Sequence, residues 1–371
     1  MKALRIHAGP RARQYVAQHG LRPQDIRVIP GAAGGPKGLI LGPLDRFIFG
    51  DWLAGSVHEV HLVGASIGAW RMATACLNDP VTAFERLEHD YIHQHYQLQP
   101  GQKRPTAAHV SAVFGQNLQA FYGGRLGEVL NHPRYRLHIL TSRGRHLLGR
   151  EHSVRTPLGY LGAFVTNAIH RKAMGAWLER VVFSTASSRQ RDTCAALPFG
   201  RQDYRTRQVR LDEANFNPAL QASCSIPFVL QSVHDIPGAP PGAYWDGGIT
   251  DYHLHLDYNA AAPDPEPDAP GLVLYPHFQK AVVPGWLDKS LKWRHHATHF
   301  LDNVIVLAPD PVWVKTLPNG KLPDRTDFPR YGNDLARRVK AWNTAVAASR
   351  QLADEFQAWL ERPDAAAIET L

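Results

Sequence analysis

The chain has 371 residues, 44% of them hydrophobic, which is enough to fill one large α/β domain with insertions and excludes a disordered native state. Its formal charge of +8 comes from Lys and Arg scattered along the chain with Asp and Glu beside them; with no zinc-finger spacing and no aromatic RNP-like strand, a nucleic-acid partner is not expected. Three dispersed cysteines (Cys76, Cys194, Cys224) form no disulfide framework and suit a reducing compartment. Met1 to Arg13 lacks the apolar core of a signal peptide, so a soluble, cytoplasmic protein is expected.

The first clear strand is Ile26 to Pro30, running into the glycine-rich turn Gly31 to Gly38. Pro36 suits the start of a helix, and Leu39, Ile40, Leu44, Phe47 and Ile48 then recur at helical spacing. A second strand, Val57 to Val63, leads into Gly64-Ala65-Ser66-Ile67-Gly68 and a second helix that Asn78-Asp79-Pro80 stops. Strand, turn, helix repeated in this way predicts parallel strands. Residues from about 81 to 178 read as a mostly helical insertion or cap, interrupted around Pro100 to Pro105 and at Gly123-Gly124. Strand-like runs return at Arg136 to Leu140, Val181 to Ser184 and Val209 to Leu211, and another apolar run ends at Asp246-Gly247-Gly248. His253 to Tyr258 alternates as a strand would. Ala260 to Pro270 is acidic and proline-rich and predicts a surface loop. Strands follow at Leu272 to Tyr275 and Asn303 to Ala308, with a basic aromatic stretch, Trp286 to His299, between them. A long helix over about 332–361 places Leu335, Val339, Trp342, Val346, Leu352, Phe356 and Trp359 on one stripe. The whole chain, 1–371, reads as a single unit with its core at about 26–310.

The chemistry concentrates in three turns. Ser66, flanked by Gly64 and Gly68 between a strand and a helix, has the setting of a nucleophile elbow, in which the tight turn exposes the hydroxyl. Ala33, Gly34 and Gly35 at a helix start offer backbone N–H groups for an oxyanion, and turns of adjacent parallel strands emerge on one edge of the sheet. Gly31 to Gly38 is not a P-loop, because Gly35-Pro36-Lys37-Gly38 separates Gly from Lys and supplies no Ser or Thr for Mg²⁺. Asp246, followed by Gly247 and Gly248, is the candidate general base; alone, an Asp-Gly pair is ordinary turn chemistry.

Together these motifs resemble the patatin-like phospholipase family: Gly34-Gly35-Pro36-Lys37-Gly38 in place of the oxyanion turn, Gly64 to Gly68 as the elbow, Asp246-Gly247-Gly248 as the Asp-Gly-Gly motif, and Ala222 to Phe228 as the Ala-Ser-x-x-x-Pro stretch before it. Ala33 stands where that family usually has the first of three glycines, and the Asp that commonly precedes them is absent. The resemblance spans about residues 26–250. It implies a three-layer α/β/α fold with a mostly parallel sheet, a Ser66–Asp246 dyad, hydrolysis of lipid or phospholipid acyl esters, and no metal or organic cofactor.

Two other readings compete. An α/β-hydrolase would recruit His253, His255 or His277 into a triad, but its elbow normally follows several strands, not one complete unit. A membrane-binding module would use Trp286, Leu287, Leu291 and Trp293 among Lys289, Lys292 and Arg294 as an interfacial helix, which in the enzyme reading becomes peripheral contact with an anionic membrane surface. His253, His255 and Asp257 on one strand face are weighed as metal ligands, a polar strand face being the plainer account.

Overall fold

The computed structural model describes residues 1–96, 102, 105–190, 192–260 and 271–371. Among these residues eleven strands form one sheet: β1 Leu4–Ala8, β2 Ile26–Gly31, β3 Val60–Ala65, β4 Tyr135–Gly144, β5 Leu178–Ser184, β6 Thr206–Arg210, β7 Val233–His234, β8 Ala243–Asp246, β9 Leu272–Pro276, β10 Val304–Pro309 and β11 Ile368–Thr370. The order is β11-β1-β10-β9-β2-β3-β4-β5-β6, and the centre from β10 to β4 is parallel throughout. These central strands are buried along their lengths, as parallel strands covered by helices must be. Flanking helices give the arrangement of a three-layer α/β/α fold. Among the described residues no helix is long and apolar enough to cross a membrane.

The placement of β8 matters most for function. The first half of β4 pairs with β3, ending at Ala65 opposite Leu140. The next residue of β4, Thr141, lies opposite Asp246 of β8, which runs antiparallel. β3 and β8 therefore share one edge of β4 and run towards each other, so that their C-terminal ends meet.

Several expectations change. The stretch 81–178 contains the helices Pro80–His93, Ala107–Tyr122, Leu126–Leu130 and Arg155–Ile169, but β4 also lies within it, so this segment threads through the sheet. His253 to Tyr258 is not a strand: Leu254 has φ +48°, and short-range bonds such as Leu256 N–H to Leu254 O replace a ladder. Trp286 to His299 forms three short 3₁₀ turns instead of a helix, because Asp288 is buried and bonded by Arg294 and Asn167. β1 and β11 were not foreseen as strands; β1 pairs with both β10 and β11. Most of the expected loop at Ala260 to Pro270, and part of the interruption at Pro100 to Pro105, lie outside the described residues. The C-terminal helix spans Leu335–Glu361 and buries Trp342, Val346, Leu352, Phe356 and Trp359 as its spacing predicts.

Candidate active site

Ser66 follows the last residue of β3 and precedes the helix Ile67–Ala75, with φ +56° and ψ −130°, a conformation that non-glycine residues rarely adopt. The glycines around it allow the backbone to crowd. A Cβ on Gly64 would lie 2.3 Å from Ala69 Cα, and one on Gly68 would lie 1.8 Å from the carbonyl oxygen of Gly31 in the neighbouring turn. Gly38 is different, since a Cβ there would meet only side-chain carbons at ordinary contact distance, Ile67 at 3.5 Å and Arg71 Cδ at 3.7 Å. The elbow helix is further anchored by Arg71, whose guanidinium forks onto buried Asp45 with two 2.7 Å bonds.

Asp246 ends β8, and the end-to-end approach of β8 and β3 brings its carboxylate to the serine: Ser66 Oγ donates to Asp246 Oδ2 at 2.7 Å. The other oxygen, Oδ1, accepts the Gly248 N–H at 2.7 Å. Gly247 and Gly248 are required for this approach, because their Cβ atoms would fall 2.1 Å from Leu140 O and 2.6 Å from Ala33 Cβ. Ser223 completes the support. It accepts the Ser66 N–H at 2.9 Å and donates to Leu140 O at 2.7 Å, tying the elbow to β4. Burial raises the Asp246 carboxyl above the ordinary aspartate value, opposed by the Ser66 hydrogen bond, then by Arg325 and the Gly248 N–H.

The glycine turn lies beside this pair, with one correction to the expected donors. The Ala33 N–H donates to Tyr252 O at 2.9 Å and is not free to meet an oxyanion. Gly34 and Gly35 N–H groups have no acceptor among the described residues, and Gly35 has φ +57°, in the region that favours glycine. A Cβ on Gly35 would meet Arg325 Nε at 3.4 Å and Tyr91 Oη at 3.6 Å, so the strain of a side chain there is conformational more than steric. If these N–H groups hold developing charge, Gly35→Ala lowers kcat by about 10²-fold, the cost of misplacing one donor. Steady-state kinetics on a soluble ester checks this, and wild-type turnover from a folded variant would make the turn structural.

A small, half-open cleft adjoins the pair, lined by Asp246 and Gly248 with Ile226, Pro227, Trp286, Tyr252 and Arg325. Lys289 sits 3.9 Å from the Tyr252 ring centroid; desolvation, then Arg325 and Lys37, lower it to about 8 against the pull of Asp246. Arg325 and Tyr252 carried no motif, and Lys289 stood in the sequence only as part of a candidate membrane-facing stretch; all three come from loops whose route to the site no local pattern reveals.

The histidines stand apart. His255 places Nδ1 3.1 Å from Val282 O and Nε2 2.9 Å from Thr298 Oγ1, and burial lowers it to about 4. His253 Nδ1 sits against Ala281 O, and His277 Nδ1 against Gln279 O; burial lowers both, His277 to about 3. None hydrogen-bonds to Ser66 or Asp246 among the described residues. Nor is any group of three or more His, Cys, Asp or Glu among the described residues placed to hold a metal ion.

No family model matches this chain, and no curated protein matches it in sequence. Among solved structures, VipD from Legionella pneumophila is similar over 89% of this chain and 67% of its own, at 14% identity and a TM-score of 0.35. So loose a likeness carries no argument about the site. What the site can do follows from its own atoms: a buried hydroxyl donates to a carboxylate, beside unengaged N–H donors and a cleft.

Proposed function

We propose that this chain is a patatin-like serine acyl-hydrolase that cleaves lipid or phospholipid acyl esters through Ser66 and Asp246. The observation that carries the reading is the 2.7 Å hydrogen bond from Ser66 Oγ to Asp246 Oδ2, made by a serine held at positive φ. Asp246 Oδ2 takes the hydroxyl proton as Ser66 Oγ bonds to the ester carbonyl carbon, and the N–H groups of Gly34 and Gly35 hold the carbonyl oxygen as it becomes negative. The protonated carboxyl then gives its proton to the departing alcohol oxygen, leaving an acyl-serine. Water gives a proton to the same carboxylate, attacks the acyl carbon, and the acid leaves as Ser66 recovers its proton. Arg325 in the cleft wall and Lys289 beside Tyr252 favour substrates with an anionic group near the ester, as a phospholipid has.

The triad alternative would need an imidazole between serine and aspartate, and the direct bond from Ser66 to Asp246 supports the dyad instead. A fluorophosphonate probe tests the proposal by covalent capture: one equivalent is expected on Ser66, with peptide mapping placing it there and Ser66→Ala unlabelled. Labelling that persists in the folded Ser66→Ala protein would move the nucleophile elsewhere, and a wild-type protein that neither labels nor turns over short-chain esters would favour a binding module.

A further inference from the structure

The helix Arg155–Ile169 carries an apolar stripe on its solvent side. Its buried face consists of Thr156, Gly159, Tyr160, Ala163 and Asn167, while Leu158, Leu161, Val165 and Ile169, together with Val154 just before the helix, are 49–79% exposed. Their spacing of three or four residues places them on one stripe. The orientation is not accidental: Tyr160 and Ala163 pack into a core cluster, Asn167 Nδ2 donates to the buried Asp288 carboxylate at 2.8 Å, and Arg294 reaches Asn167 Oδ1 and the Ala168 carbonyl. The helix is thus fixed with its apolar stripe outward.

Other exposed apolar groups extend this face towards the cleft. Phe228 and Val229, 63% and 48% exposed, directly follow Ile226 and Pro227 of the cleft wall. The Phe228 ring lies 6.1 Å from that of Tyr160, and Phe228 has φ +67°, unusual for a bulky side chain. Trp293, 63% exposed, precedes Arg294, which is bonded to the helix. Trp286, also in the cleft wall, packs with Leu287 against the core group that contains Tyr160. The exposed charges that flank these segments are mostly cationic, Arg150, Arg155, Lys172, Lys289 and Lys292, with Glu151 among them, while Asp288 is buried beneath its arginine partners.

We infer that this face, the outward stripe of the Arg155–Ile169 helix with Phe228, Val229 and Trp293, docks on an anionic lipid surface and so presents the cleft to the membrane. An outward apolar stripe supplies insertion into the acyl boundary, and the cationic flank supplies attraction to acidic headgroups, the two elements of interfacial binding. A second copy of the chain would equally cover apolar area, but would bring the same cations against each other.

Vesicle co-sedimentation tests the inference, using Ser66→Ala protein so that the outcome does not depend on turnover. Binding to vesicles of phosphatidylcholine with phosphatidylserine is expected to exceed binding to phosphatidylcholine alone and to fall with salt. Leu158→Ser/Leu161→Ser/Val165→Ser, all at exposed positions, should lower partitioning by at least about tenfold. Introduced into the protein with Ser66 intact, the same changes should leave hydrolysis of a soluble short-chain ester unchanged. The charge variant Lys172→Glu/Lys292→Glu should lower binding to the acidic vesicles alone. Unchanged partitioning of the folded triple variant would overturn the inference. So would a wild-type chain that ignores both vesicles, or one whose dimer is lost in the triple variant.

Discussion

Asp246→Asn is expected to lose at least about 10⁴-fold in kcat/KM, near 5.5 kcal/mol of transition-state stabilisation, while keeping its fold. The amide matches the carboxylate in shape and still accepts the Gly248 N–H, but it cannot take the proton that Ser66 Oγ donates across 2.7 Å. His253→Asn and His277→Asn should stay within roughly tenfold per folded molecule, because an imidazole outside the proton path contributes only packing. The pH profile supplies the sign. In the proposed mechanism the base works only as the carboxylate, so the rate should fall as pH drops through its pKa, and burial places that fall above the pH at which an exposed aspartate would protonate. His277 and His255, lowered to about 3 and about 4, stay neutral through the range near 6.5 where a histidine base would titrate. Steady-state rates between pH 3 and 9 separate the two. A histidine variant as damaged as Asp246→Asn would return the triad to consideration.

The second large effect is on stability. Gly68→Ala should cost about 4 kcal/mol or more, because the new Cβ would fall 1.8 Å from Gly31 O and 2.1 Å from Gly31 C, both backbone atoms at the end of β2. The conflict cannot be relieved by a rotamer. Gly31 is crowded in return, its own Cβ position lying 2.6 Å from Gly68 O, so the two turns approach backbone to backbone. Gly38→Ala, whose Cβ would meet Ile67 side-chain carbons at 3.5 Å and Arg71 Cδ at 3.7 Å, ordinary contacts, is the control and should change stability little. Urea unfolding of both variants measures the difference. A Gly68→Ala protein with the wild-type midpoint would mean that the turns can separate without cost.

The turns were legible in the sequence because their requirements are local. Gly64 and Gly68 bracket Ser66, and Gly247 and Gly248 follow Asp246, each within a few residues of the group it serves. The central strands were legible because parallel burial makes continuous apolar runs, although β3 begins at Val60 and leaves Val57 exposed. What escaped depends on distant partners. Strand β1 is fixed by register with β10, Leu4 opposite Pro309, and nothing near residue 4 announces that pairing. The Trp286 to His299 stretch looked amphipathic, yet its conformation is set by a buried Asp288 whose partners Asn167, Arg171 and Arg294 include two from another segment. The same remoteness conceals the outward stripe at Leu158, Leu161 and Val165, since an apolar stripe is ordinarily read as a core face.

The meeting of β3 and β8 along β4 also fixes when the site can exist. Serine and aspartate are 180 positions apart in the chain, and the strand that measures their separation lies between them in sequence. During synthesis the elbow therefore emerges long before its base. A nascent chain that has folded β2, β3 and β4 holds Ser66 without its Asp246 partner, and the bond between them can form only when β8 docks against Thr141 to Arg143. The Ser66–Asp246 pair thereby marks the moment β8 joins β4, while β9, β10 and β11, later in the chain, have still to complete the sheet.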